Sequence, residues 1–181
     1  MQNGDVLIAM PSSGFHANGF SLVRHIIKTA NLSLDAHVSE YGKTSGEVFL
    51  TPTEIYALDC LALIKSMQGK LRGFSHITGG GIAENTARVI PEHLTAIYDR
   101  STWSVPVEME FLSKVGGVPQ EDMERTWNCG IGMTAIVSAD SADLALASLA
   151  ARGMKAWIAG EVAPSGKDDS RRSYLVSDYK G

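Results

Sequence analysis

The stretch that decides the fold is Lys155–Ser177, which reads KAWIAGEV over 155–162, PSGKDDSRR over 164–172 and SYLVS over 173–177. Two short runs rich in β-branched and aromatic residues flank a polar turn, which predicts a hairpin of adjacent strands. Upstream of it, strand-like and helix-like segments alternate, and that alone would predict a parallel sheet. The two consecutive strands at the end make the sheet mixed, with helices on its faces. The class is therefore α+β, in the form of an α/β/α sandwich.

Working back from that hairpin, Gly130–Ser138 is a strongly apolar strand. Asp140 and Asp143 then put carboxylates into the first turn of a helix reaching Ala151, where the helix dipole favours them. Val107–Val115 and Gln120–Arg125 have helical spacing, Leu94–Asp99 and Leu71–Ile77 read as strands, and Ile82–Val89 as a short helix. Thr51-Pro52-Thr53 marks a helix start with proline near the first turn. Tyr56, Cys60, Leu63, Ile64 and Met67 share one side of that helix. Residues 31–46 are polar and irregular. The first helix runs from an Asn18 N-cap to about Ala30, with Leu22, Val23, Ile26 and Ile27 on its apolar face. It follows a buried strand, Asp5–Met10, which the chain enters almost at once, as a domain taken from a larger protein would. One domain over 1–177 with a frayed tail at 178–181 is expected.

A length of 181 residues is enough for a real core, and the 44% apolar and 20% charged fractions are ordinary. A net charge of −4 leaves no basic field to draw the chain to nucleic acid or anionic lipid. There is no apolar run of membrane-spanning length and no export signal, and two cysteines make no disulfide framework. A reducing cytoplasm is the expected location.

The chemistry-bearing residues fall in loops. His76-Ile-Thr-Gly-Gly-Gly-Ile-Ala-Glu-Asn85 places three consecutive glycines between a strand and a helix start. Backbone without Cβ atoms can approach an anion closely, so Thr78, Gly79, Gly80, Gly81 and Asn85 are candidate phosphate contacts. The pattern is neither GxxxxGK[ST] nor GxGxxG. A tight turn would explain it too, though turns rarely need three glycines. The second cluster, Ser12-Ser13-Gly14-Phe15-His16-Ala17-Asn18-Gly19, sits at the carboxyl end of a strand, where open sheets bind ligands. Its serines and Asn18 could simply satisfy a turn and a cap, but a turn has no need of an imidazole, so His16 is the candidate catalytic group. Leu50-Thr51-Pro52-Thr53 reads as a helix cap in preference to an anion site, and packing alone would explain the glycines of Asn128-Cys129-Gly130-Ile131-Gly132-Met133. No HExxH or CxxC spacing is present, so no all-protein metal site is expected.

Taken in order, SSGxHxNGxSLVR, LxPTxIY, HxTGGGxxEN and NCGxGM resemble the C-terminal half of aminoimidazole ribonucleotide synthetase, also called phosphoribosylformylglycinamidine cyclo-ligase. The resemblance covers Gly4 to about Val176. Phe15, Ala17 and Pro11 depart from residues common at those places in the family. It implies the C-terminal-domain fold of that superfamily and a two-domain, homodimeric enzyme of purine biosynthesis. Such an enzyme uses ATP and Mg²⁺ to activate the amide oxygen of formylglycinamidine ribonucleotide. Ring closure then gives aminoimidazole ribonucleotide, ADP and phosphate. The N-terminal half, supplying most nucleotide and metal ligands, would be this domain's partner. Alternatives are a sister ATP-dependent enzyme (formylglycinamidine synthase, selenophosphate synthetase, thiamine monophosphate kinase or a hydrogenase-maturation type) or a non-catalytic ribotide-binding module.

Overall fold

The computed structural model describes residues 1–166 and 171–180. In chain order it comprises β1 (Val6–Pro11), α1 (Phe20–Thr29), β2 (His37–Val38), β3 (Lys43–Thr44), α2 (Ser45–Phe49), α3 (Ala57–Met67), β4 (Leu71–His76) and α4 (Gly81–Ala87). These are followed by β5 (Leu94–Asp99), α5 (Val107–Gly116), α6 (Gln120–Thr126), β6 (Ile131–Val137), α7 (Ala142–Ala150), β7 (Trp157–Pro164) and β8 (Ser173–Val176). Six strands form one sheet in the order β4-β6-β1-β7-β5-β8, and β2 and β3 pair separately.

The sheet is mixed, but not through a terminal hairpin. β7 pairs antiparallel with β1 on one side and β5 on the other, so neither of its edges is left for β8. β8 joins the free edge of β5 instead, in parallel register from Ala96↔Ser173 to Asp99↔Val176. The edge strand takes the open ladder that backbone donors and acceptors require. Part of the connecting segment, 167–170, lies outside the described residues.

The central strand shows why two helical layers are needed. Leu7 and Ala9 of β1 enter a core with Val23, Ile26, Met109, Leu112, Met123 and Trp127. Ile8 and Met10 point the other way, into a second core with Leu63, Met67, Ala145 and Leu149. A strand apolar at every position is buried on both faces. Here α3 and α7 cover one face, while α1, α4, α5 and α6 contribute to the other core.

Several local expectations are corrected. The helix expected from Thr51 begins at Ala57. Proline disfavours the α conformation of the residue before it, here Thr51, and residues 51–56 stay irregular. The polar stretch 31–46 contains a capped helix start instead. The Thr44 hydroxyl accepts from Glu47 N at 3.2 Å, and the Glu47 carboxylate accepts from Thr44 N at 2.8 Å. Ile64, expected on the buried side of α3, is 54% exposed. The tail expected to fray carries Tyr179, whose ring meets Trp103 edge-on at 5.4 Å, and Lys180 N donates to Trp103 O at 3.1 Å.

Register brings the candidate loops to one end of the sheet. Met10 and His76, near the carboxyl ends of β1 and β4, both lie opposite Met133 near the start of β6.

Candidate functional site

The loop leaving β1 is strapped down from both sides. Buried Asn128 accepts from the Ser12 hydroxyl (2.9 Å) and from Gly130 N (2.9 Å), and donates to Gly14 O (2.8 Å). On the other flank the Ser13 hydroxyl donates to Pro52 O at 2.7 Å, and the Tyr56 hydroxyl donates to Pro11 O at 2.7 Å. Phe15 drops into the core, its ring edge-on to Trp127 at 5.0 Å. Both serine hydroxyls thus give their hydrogens to protein acceptors. The unspent donors are main-chain ones. Among the described residues the amides from Gly14 through Gly19 have no acceptor at ordinary hydrogen-bond distance and angle, and residues 16 and 17 form a turn. Asn18 is not the cap of α1. Gly19 takes that position at φ 72, packed against the Trp127 ring, with no side-chain cap bond. The Asn18 carboxamide makes no bond among the described residues and remains available to a ligand.

His16 sits inside this loop at φ 56 and is 5% exposed. Its Nε2 accepts from Ser13 N at 3.1 Å, which assigns the ring proton to Nδ1 in the neutral form. That Nδ1 is buried without an acceptor. Burial, and then the neighbouring His76, lower the imidazole's pKa below its ordinary value of 6.5. Gly132 makes the space: a Cβ there would overlap both the Tyr56 hydroxyl and the His16 ring. The Tyr56 ring lies 6.1 Å from His16 and 6.4 Å from His76. Burial raises the Tyr56 phenol's pKa and keeps it a donor. Beside Pro11 and Ser12 opens a cleft of about 340 Å³, bordered by Glu54, Lys155 and the Arg152–Asp59 ion pair at 2.6 Å.

The glycine loop follows β4, and Ile77 N donates to Gly132 O at 2.9 Å, so it flanks the same stretch of β6. Its three glycines have three different reasons. Gly79 is exposed, with open space where a side chain would be. Gly80 caps α4 at φ 99. Gly81 has φ 68, and a Cβ would collide with the Glu124 carbonyl of α6. The Gly81 amide is already bonded to Thr78 O at 3.1 Å. Of the three glycine amides, those of Gly79 and Gly80 have no acceptor among the described residues. Asn85 is a buried staple. Its Nδ2 donates to the carbonyls of Thr78, Gly79 and Gly81, and its Oδ1 accepts from the Thr78 hydroxyl and Arg88. Neither Asn85 nor the Thr78 hydroxyl has a hydrogen left for a ligand.

Sequence reasoning passed over His76, Tyr56, Asn128 and Gly132 as site residues. All four lie inside the quoted motifs, and NCGxGM carried the signal most clearly. Among the described residues, no group of three or more His, Cys, Asp or Glu side chains could hold a metal ion. No helix there is long and apolar enough to cross a membrane.

Residues 2–172 match the family model described as AIR synthase related protein, C-terminal domain. The phosphoribosylformylglycinamidine cyclo-ligase of Burkholderia ambifaria is 44% identical over 168 residues, 93% of this chain but 47% of its own length. That of Shouchella clausii is 45% identical over 166 residues, covering 48% of its length. A Streptomyces fradiae relative is 47% identical over 179 residues, 97% of either chain. The chain thus spans about half the length of the two named cyclo-ligases. Among solved structures, the E. coli hydrogenase maturation protein HypE matches with a TM-score of 0.58 at 16% identity, over 100% of this chain and 48% of that one. Thiamine-monophosphate kinase from Stenotrophomonas maltophilia gives 0.57 at 14%, over 98% and 51%. These two share the fold. A mixed six-stranded sandwich carrying all four ordered motifs, matched over 2–172, belongs to the AIR synthase related family as its C-terminal domain.

Proposed function

We propose that the chain is the ribotide-binding half of an ATP-dependent cyclo-ligase. The full reaction converts formylglycinamidine ribonucleotide to aminoimidazole ribonucleotide, ADP and phosphate, in the cytoplasm. The observation that carries this is the run of unspent amides from Gly14 to Gly19 wrapped around a buried, neutral imidazole. Preorganised main-chain donors cost no reorganisation when negative charge arrives, so they suit an oxyanion that develops or departs during reaction. The Gly79 and Gly80 amides supply a second pair of donors across β6, and Asn18 adds an amide side chain.

His16 orients. Its Nε2 accepts from the Ser13 amide and its Nδ1 hydrogen is buried without an acceptor, so a substrate atom reaches that hydrogen only when the loop shifts on binding. ATP supplies the phosphoryl group that turns the substrate's amide oxygen into a leaving group. The described residues do not suit Mg²⁺, so no metal step is placed on this chain. Metal and most nucleotide contacts are assigned to a module like the other half of the longer relatives, with homodimerisation through that half. The chain by itself is expected not to turn over.

The test is an amide NMR titration of the chain with formylglycinamidine ribonucleotide and, separately, with inorganic phosphate. Shifts centred on 14–19, smaller at 79–80, are expected for the ribotide. Saturable shifts confined to other regions would discard the assignment.

A further inference from the structure

The segment Glu54–Lys65 reads EIYALDCLALIK and mirrors itself about the bond between Asp59 and Cys60. From the ends inward, Glu54 matches Lys65 with opposite charge, Ile55 matches Ile64, Tyr56 matches Leu63, Ala57 matches Ala62 and Leu58 matches Leu61. Burial follows the same mirror. Tyr56 and Leu63 both enter the core beneath α3, whereas Ile55 is 77% exposed, Leu58 65%, Leu61 49% and Ile64 54%. Glu54 and Lys65 are exposed too, and neither makes an ion pair among the described residues. Single exposed leucines are ordinary. An aliphatic ridge along one helix and its lead-in, with a free carboxylate at one end and a free ammonium at the other, marks a surface that another body covers.

We infer that this ridge is an isologous dimer face whose occupant is a second copy of the same chain. A two-fold axis perpendicular to α3, midway between Asp59 and Cys60, carries each position onto its mirror partner in an antiparallel helix. Leu58 then meets Leu61 of the second copy, and Ile55 meets Ile64, each contact occurring twice. Glu54 meets Lys65 at both ends, so charges left unpaired in one copy pair across the axis. A parallel arrangement would set like charge against like charge, and a partner of unrelated sequence has no need of the mirror. The ridge is also held ready: beneath it Asp59 pairs with Arg152 at 2.6 Å, and the Tyr56 hydroxyl donates to Pro11 O at 2.7 Å. A preformed surface loses little freedom on association. One 11-residue helix and its lead-in offer less than the roughly 800 Å² per partner of a standard interface, so a weak, micromolar dimer is expected. This contact is distinct from the homodimerisation assigned to the other half of the longer relatives, and it is independent of the proposed reaction.

Sedimentation equilibrium of the full chain over a concentration series gives the association constant, and hydrogen exchange at low and high concentration gives the protected residues. A monomer–dimer equilibrium is expected, with exchange slowed over 54–65 in the dimer. Leu58→Glu/Leu61→Glu sets four carboxylates around the axis and should weaken association about tenfold or more. Val107→Glu, at an exposed apolar position of α5 on the opposite face of the sheet, should leave it unchanged. Glu54→Lys and Lys65→Glu each turn two attractions into repulsions and should weaken the dimer about threefold to tenfold, while the two together should restore it. Circular dichroism of each variant checks folding. A chain that stays monomeric up to millimolar concentration, even one whose ridge takes up another protein, would overturn the inference, as would a dimer indifferent to Leu58→Glu/Leu61→Glu. A double exchange that fails to repair what each single exchange weakens would overturn the antiparallel pairing.

Discussion

Two loops at the same end of the sheet contain glycines, and they use them oppositely. In the loop after β1, Gly14 and Gly19 take positive φ so that the chain can turn without bonding its own amides, and Asn128 and Pro52 hold it from outside. In the loop after β4, the glycines serve compactness. Gly81 lets α4 pack against the Glu124 carbonyl, and Asn85 consumes the loop's carbonyls from within. The more conspicuous glycine run thus leaves fewer of its own amides without an acceptor. A glycine marks backbone that must go somewhere unusual; only the hydrogen-bond partners say whether the reason is a ligand or a neighbour.

Substitutions can break this contrast. The largest effect is expected at Gly132→Ala, where the new methyl overlaps Tyr56 and His16 in a closed interior. A loss of about 3 kcal/mol in urea unfolding is expected, and a variant as stable as the parent would show that His16 is not held as described. Gly81→Ala comes next, at about 2–3 kcal/mol, from positive φ plus the clash with α6. Its counterpart Gly79→Ala should stay within about 0.5 kcal/mol. Equal losses at 79 and 81 would erase the distinction among the three glycines. Gly80 is a poor probe of binding, because any side chain at φ 99 is strained.

Asn128→Ala separates the loops. It strands Gly14 O and frees Ser12, at about 2 kcal/mol, and should speed hydrogen exchange over 12–19 while leaving 78–88 unchanged. Uniform acceleration would mean that the two loops form one unit.

The smallest effect is one of pH. Folding lowers the His16 pKa, so the unfolded chain binds more protons between the folded value and 6.5. This contribution is complete above 6.5 and is lost as the pH falls from there through the folded pKa. In His16→Phe the corresponding part of the stability slope on the acid side of 6.5 should vanish. An unchanged slope would mean that the imidazole is not buried neutral.

Much of this was legible beforehand, and the misses share one cause. Strand and helix identities came from apolar periodicity, as in Leu71–His76 or Val107–Gly116, because side-chain burial repeats with the backbone's own period. The hairpin at 155–177 failed because adjacency in sequence does not reveal whether a strand's edges are already occupied. The Asn18 cap expectation failed, and the bonds that Asn85 makes within its own loop went unforeseen, because local spacing cannot say where a carboxamide points. Asn128 and Gly132 were missed because their reasons for being there, the Ser12 loop and the His16 ring, lie more than a hundred residues away in the chain.

Most of the strands and helices and the four motifs were therefore legible in the sequence alone, since each depends on neighbours within a few positions. Tertiary structure decided which amides are left over, which tautomer His16 holds, and which side of α3 stays bare. Each of those depends on what a distant segment offers as an acceptor or as cover, and long-range packing alone determines that.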